Sequence, residues 1–200
     1  MVAKSYVCAK PGKYQKFMLV VGSYYGASSM WEVWKTQTMR LAELEVSEEL
    51  PLTYTVEKSS GGEPGGYEAK NLFDLGYETE WHSNNRVNGM WFVEFKASQP
   101  ISPKSYRFLT GNDSGEYWDR TPQAWKVYGK KNKGDEWTLL SDLDYNRDGE
   151  AAWVPGKTRQ KSSVLKFNKK APKDMQYFRF EISRNFGSTA VQLNEMFFNF

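Results

Sequence analysis

A chain of 200 residues, 40% hydrophobic and 16% aromatic, can bury a substantial core in one or two domains. Its 27 basic and 24 acidic residues leave a net charge of +3, too balanced and too scattered for a nucleic-acid footprint; the densest basic run, Lys130, Lys131 and Lys133, sits beside Asp135 and Glu136 and reads as a solvated turn. A single cysteine, Cys8, excludes an intrachain disulfide, and the longest apolar run, Phe17 to Val21, is too short to cross a bilayer.

At the N-terminus, Lys4, Lys10, Pro11 and Lys13 interrupt any signal-peptide core, so an exported protein would carry this chain as a mature form or fragment. Residues 14–47 read as strand, loop, strand. The cluster Ser59-Ser60-Gly61-Gly62-Glu63-Pro64-Gly65-Gly66 is a loop by composition, followed by a short helical turn around Ala69 to Leu72. From there, aromatic and β-branched runs alternate with turn residues. Trp91, Val93 and Phe95 share one strand face while Phe92, Glu94 and Lys96 share the other. Tyr106, Phe108 and Thr110 alternate with Ser105, Arg107 and Leu109, and Trp125 and Val127 with Ala124, Lys126 and Tyr128. Asn112 to Gly115 is a turn, and Asn146 to Ser163 a long excursion. Phe178, Phe180 and Ile182 alternate with Arg179 and Glu181, and Leu193 to Phe200 is the closing strand. Repeated one-face burial of this kind predicts an all-β fold, an antiparallel β-sandwich whose core includes Trp81, Trp91 and Trp125.

Two segments echo one another. Tyr14 to Val21, a Gly/Ser loop and Leu41-Ala42-Glu43-Leu44 match in pattern Tyr177 to Ile182, a Gly/Ser loop and Leu193-Asn194-Glu195-Met196. The echo divides the chain into an N-terminal segment, residues 1–50, as the end of a preceding copy of the module, and a sandwich over 51–200.

Catalytic patterns are scarce. The chain has one His and one Cys, and it lacks His-Glu-x-x-His, Gly-x-Ser-x-Gly and phosphate-loop motifs. No spacing singles out a glycosidase-like carboxylate pair. The expectation is a binding module, not an enzyme.

Asn71-Leu72-Phe73-Asp74-Leu75-Gly76-Tyr77-Glu78-Thr79-Glu80-Trp81-His82 resembles the opening motif of discoidin-like, coagulation-factor type C domains, which include the family-32 carbohydrate-binding modules. Asp74, Thr79 and Trp81 keep the family spacing. Trp91 to Phe95 is similar to the second signature strand, Tyr106 to Asn112 and Arg120 to Gly129 to the central strands, and Tyr177 to Phe198 to the closing pair. The resemblance covers about 150 residues and implies a jelly-roll sandwich of the galactose-binding type.

It also implies two sites. Many members hold a structural calcium, which needs six to eight oxygens. Here the side chains would be Asp74, Thr79 and Glu195, and the carbonyls those of Asn71, Gly76 and Asn194. The sequence departs from the family where Leu75 replaces the first loop Gly and Gly76 an acidic or Asn residue. Sugar-binding members place a His after Thr-x-Trp, which implies a ligand role for His82, with Arg120 and Asn112 as further hydrogen-bonding groups and Trp118 or Phe186 as an aromatic platform. The leading expectation is a carbohydrate-binding module for galactose or N-acetylgalactosamine on glycans, extracellular or at a cell surface, within a larger glycan-acting or adhesive protein. A protein-interaction or adhesion module of the same fold comes second. Membrane lipid comes last, because Trp118 and Phe186 are the only apolar spikes and Glu116 and Asp119 flank the first.

Overall fold

The computed structural model describes residues 52–62, 65–76, 78–111, 113–148 and 164–200, all within the unit Leu52–Phe200. The expected strand–loop–strand over 14–47, the first half of the echo, lies outside the described residues, as do Asn112 and most of the 146–163 excursion.

Ten strands are present among the described residues: β1 Tyr54–Ser59, β2 Trp81–Ser83, β3 Trp91–Ile101, β4 Ser105–Leu109, β5 Pro122–Lys130, β6 Thr138–Asp144, β7 Leu165–Lys166, β8 Met175–Asn185, β9 Val191–Leu193 and β10 Glu195–Asn199. Every pairing is antiparallel. One sheet runs β1-β3-β8-β5-β6, and the others are β10-β4-β7 and the short pair β2-β9. The architecture is an antiparallel β-sandwich, as the alternation predicts.

Period-two burial builds the core. Val93, Phe95 and Ala97 on β3, Trp125 and Val127 on β5, and Phe178, Phe180 and Ile182 on β8 are all buried, facing Tyr106 and Phe108 on β4. Phe108 stacks on Phe180 with ring centroids 4.7 Å apart and meets Trp125 edge-on at 5.7 Å. Trp81, Trp91 and Trp125 are at most 1% exposed, so truncating any of them costs about 3–5 kcal/mol. A polar tie crosses the core: Trp125 Nε1 donates to Tyr106 Oη at 3.0 Å, and that hydroxyl pairs with Ser141 Oγ at 2.8 Å. On the outer face, Phe92 is covered by the Arg179 guanidinium at 4.4 Å.

One local reading is corrected. Leu193 to Phe200 is not one strand: Leu193 ends β9 against Trp81 of β2, whereas Glu195 opens β10 against Leu109 of β4. Between them the Asn194 amide donates to Leu109 O at 2.9 Å, the point where the chain changes sheets. The helical turn expected around Ala69 to Leu72 is present as the 3-10 helix Ala69–Phe73, in which Ala69, Asn71 and Leu72 are buried.

Candidate functional site

The short β2–β9 pair sits where three loops meet. Trp81 and His82 are consecutive in an extended segment, so their side chains leave in opposite directions. Trp81 enters the core, its indole N–H donating to Gly61 O at 2.8 Å. His82 therefore faces outward into a shallow, open cavity of about 580 Å3. Arg120 lines the same cavity, with Tyr67, Glu80, Asp113 and Tyr117.

Each wall has a local cause. Tyr67 is set by its own carbonyl, which accepts the His82 amide at 3.2 Å, and its ring meets the His82 ring edge-on at 5.8 Å. Asn71 Nδ2 anchors the same loop by donating to Gly66 O and, at 2.9 Å, to Glu80 O. Tyr117 caps the 3-10 turn Trp118–Arg120, and the guanidinium of Arg120, its last residue, lies 3.9 Å over the Tyr117 ring. The opposite wall, Ser188 to Ala190, is shaped by buried Asn185, whose Nδ2 donates to Ser188 O at 3.0 Å and also to Ala190 O. The Ser188 amide reaches Asp119 O at 3.4 Å, joining the two loops.

Beneath the cavity lies a buried polar network. Gln192 is directly opposite His82 in the β2–β9 register and fully buried. Its Nε2 donates to Glu80 Oε2 at 2.7 Å and to Asp113 Oδ1, while its Oε1 accepts from Arg120 Nη1 at 3.2 Å. The same Arg120 nitrogen is 3.7 Å from Asp113 Oδ2. One amide thus fixes a guanidinium and two carboxylates. The Glu116 carboxylate beside Tyr117 pushes that phenol's pKa upward.

His82 and Arg120 thus meet in one cavity. Trp118 and Phe186 do not line it: they face each other with centroids 5.9 Å apart, and Phe186 also meets Tyr145 at 5.1 Å. Trp118 precedes Arg120 by two residues, yet its ring meets Phe186, and the aromatic residues lining the cavity are Tyr67 and Tyr117. Asn112 lies outside the described residues. Glu80 had a legible signal, since it stands two residues before His82 and shares its face of the extended segment. Tyr67, behind a Gly-rich loop, had none.

The second expected site lies at the loop between the 3-10 helix and β2. Asp74 Oδ1 accepts from the Gly76 amide at 2.7 Å and from Thr79 Oγ1 at 2.9 Å. Glu195 is 2% exposed, and neither carboxyl oxygen has a hydrogen-bond partner. Asp74 and the amides of Leu75 and Gly76 lie beside it without hydrogen-bond geometry; burial first, and Asp74 second, push the Glu195 pKa up to about 9. Asp74, Thr79 and Glu195 therefore do converge. The other expected ligands were backbone carbonyls, and of these Gly76 O accepts from Thr79 Oγ1 at 3.3 Å and from Asn194 Nδ2. Asn194 Nδ2 donates to Gly76 O at 3.0 Å and to Thr79 O, and Asn71 turns its side chain to the Gly66 loop. Among the described residues no three His, Cys, Asp or Glu side chains cluster, so a cation here would draw on hydroxyl and carbonyl oxygens as well as the two carboxylates. The buried Glu195 carboxyl beside Asp74, whose Oδ1 also meets the Thr79 hydroxyl, offers oxygen donors of the kind a hard cation takes.

No family model and no curated protein matches this sequence. Solved structures do match. The F5/8 type C domain of a Bacteroides fragilis protein superposes with a TM-score of 0.56 at 13% identity, covering 72% of this chain and 89% of that one. The module CBM32-3 from a family 31 glycoside hydrolase of Clostridium perfringens gives 0.55 at 13% identity, covering 74% and 90%. A further Clostridium perfringens module, CpGH89CBM32-5 in complex with GalNAc-β-1,3-galactose, gives 0.52 at 13% identity, covering 74% and 95%. The fold is that of the discoidin-like F5/8 type C domains and family 32 carbohydrate-binding modules.

Proposed function

We propose that this protein is a non-catalytic carbohydrate-binding module that takes a terminal galactose-type sugar, galactose or N-acetylgalactosamine, in the cavity of His82 and Arg120. The observation that carries the reading is the convergence of an imidazole and a guanidinium with the rings of Tyr67 and Tyr117 on one shallow cavity. A pyranose with an axial hydroxyl exposes an apolar C–H patch on one ring face, which an aromatic ring covers. Its hydroxyls then meet planar polar groups. A solved structure of the same fold, in complex with GalNAc-β-1,3-galactose, supports the reading.

An open site of this size gives modest affinity, millimolar to micromolar, about −4 to −8 kcal/mol. The module would act within a larger extracellular or cell-surface protein that works on or adheres to glycans. No helix among the described residues is long and apolar enough to cross a membrane. Calcium belongs to the proposal as a structural ion: Asp74, Thr79, Glu195 and the Gly76 carbonyl would hold it. When bound it would offset the repulsion between the two carboxylates and fix the loop that leads into β2.

Isothermal titration of galactose and N-acetylgalactosamine into wild type and His82→Ala tests the sugar site. Binding to wild type, lost in a variant with an unchanged melting temperature, is the expected result. Absence of binding to any sugar, with a protein partner engaging the same loops, would move the function to the adhesion class.

A further inference from the structure

The charge around the cavity has a consequence for which sugars it admits. Among its described lining residues, two carboxylates, Glu80 and Asp113, stand against one guanidinium, Arg120. Gln192 Nε2 donates to both carboxylates, which holds them with their oxygens as acceptors on the cavity side of a fully buried amide. Arg120 is already engaged three ways: by Gln192 Oε1 at 3.2 Å, by Asp113 Oδ2 at 3.7 Å, and by the Tyr117 ring at 3.9 Å beneath its plane. To pair with a ligand anion it would have to give up Asp113, leaving that carboxylate uncompensated beside the incoming charge. Glu80 is 5% exposed, and its Oε2 is held by Gln192 Nε2 at 2.7 Å.

We propose that this cavity is a filter on ligand charge: it accepts neutral and cationic sugars and rejects uronic acids and sialic acids. The inference rests on the sugar-binding reading and adds the substrate class within it. Asp113 and Glu80 are the specificity-determining residues, Arg120 serves as a hydrogen-bond donor to hydroxyls, and Gln192 is a positioning residue that locks all three. Like charges facing each other across a contact act mainly against wrong partners, the means by which binding sites exclude a near-isostere.

The test uses sugars of one stereochemistry that differ in charge: galactose, galactosamine and galacturonic acid, with the glucose series in parallel, titrated into the full chain at neutral pH and low salt. Galactosamine binds at least as tightly as galactose. Galacturonate binds at least about ten-fold more weakly, equivalent to about 1.4 kcal/mol. Raising the ionic strength narrows that gap, since exposed charges are screened. Asp113→Asn, which keeps an oxygen for the Gln192 amide while removing the charge, closes most of it, and Glu80→Gln does the same if the first variant does not fold. Galacturonate bound as tightly as galactose, or a gap that ignores both salt and Asp113→Asn, overturns the filter while leaving the sugar site intact. Failure of every neutral and amino sugar to bind overturns the sugar reading and the filter with it.

Discussion

Adding one methyl group at Gly111 probes the network under the cavity more sharply than removing any of its polar groups. A Cβ built on Gly111 would lie 2.2 Å from Gln192 Nε2, 2.5 Å from Glu80 Oε2 and 3.0 Å from Gln192 Cδ. These neighbours have nowhere to go, because Gln192 is fully buried and its amide is held by Glu80, Asp113 and Arg120. Overpacking costs about 1–3 kcal/mol. Loss of the hydrogen bond to a charged Glu80 adds about 1.5–3 kcal/mol. Gly111→Ala should therefore destabilise by about 2.5–6 kcal/mol, a large share of a domain's usual 5–15 kcal/mol. Gly134→Ala is the control, since a Cβ there meets nothing within 4 Å. Urea unfolding followed by circular dichroism compares the two, read from the midpoint at constant slope. If Gly111→Ala falls within about 0.5 kcal/mol of Gly134→Ala, the network is not the rigid floor described above.

Other consequences concern the core tie and the entry loop. Burial, partly opposed by the hydrogen bonds from Ser141 and Trp125, pushes the Tyr106 pKa up to about 12, and burial likewise pushes Tyr128 up to about 12. Against about 10 in the unfolded chain, the folded state retains the protons longer, so their stabilisation is complete below pH 10 and is lost as pH rises towards 12. The urea midpoint should fall steeply above about pH 10, less so in Tyr106→Phe; a flat profile there would contradict the burial. At neutral pH, Tyr106→Phe strands the Trp125 N–H and the Ser141 hydroxyl and should cost about 2–4 kcal/mol by chemical denaturation. Calcium at 100 times its dissociation constant should stabilise the domain by about 2.7 kcal/mol, reversed by chelator and absent in Asp74→Asn or Glu195→Gln; calorimetric melts with no calcium response would remove the ion from the account. Leu75 holds φ at +59°, the left-handed region where a non-glycine residue costs about 1–2 kcal/mol, so Leu75→Gly should raise the melting temperature despite glycine's greater unfolded-state entropy.

The long strands were legible because each buries one face: Val93 and Phe95, Tyr106 and Phe108, and Phe178, Phe180 and Ile182 all fall where their alternation places them. Strands of two or three residues, such as β2, β7 and β9, are too short to show a period and are fixed only by their partners. The break at Asn194 was hidden for the same reason: nothing in Leu-Asn-Glu-Met says that the chain changes sheets, a choice made by the Leu109 carbonyl and the loop at Gly76. Around the cavity, the motif after Thr79 pointed to His82, and the meeting with Arg120 follows from the sandwich topology. Trp118 and Phe186 stood out in the sequence as large rings in loops, whereas the turn that puts Tyr117 and not Trp118 on the cavity lining is not legible there. Gln192 was invisible altogether, since its importance comes from register opposite His82.

The central claim is that a sugar sits between His82, Arg120, Tyr67 and Tyr117, and chemical-shift mapping of the labelled chain during titration with galactose or N-acetylgalactosamine tests it most directly. Saturable shifts at His82, Tyr67, Tyr117, Asp113 and Ser188 to Ala190, with Trp118, Phe186 and the Asp74–Glu195 loop unmoved, are the predicted outcome. Shifts centred on Trp118 and Phe186, or none at either place for any sugar tested, would contradict it.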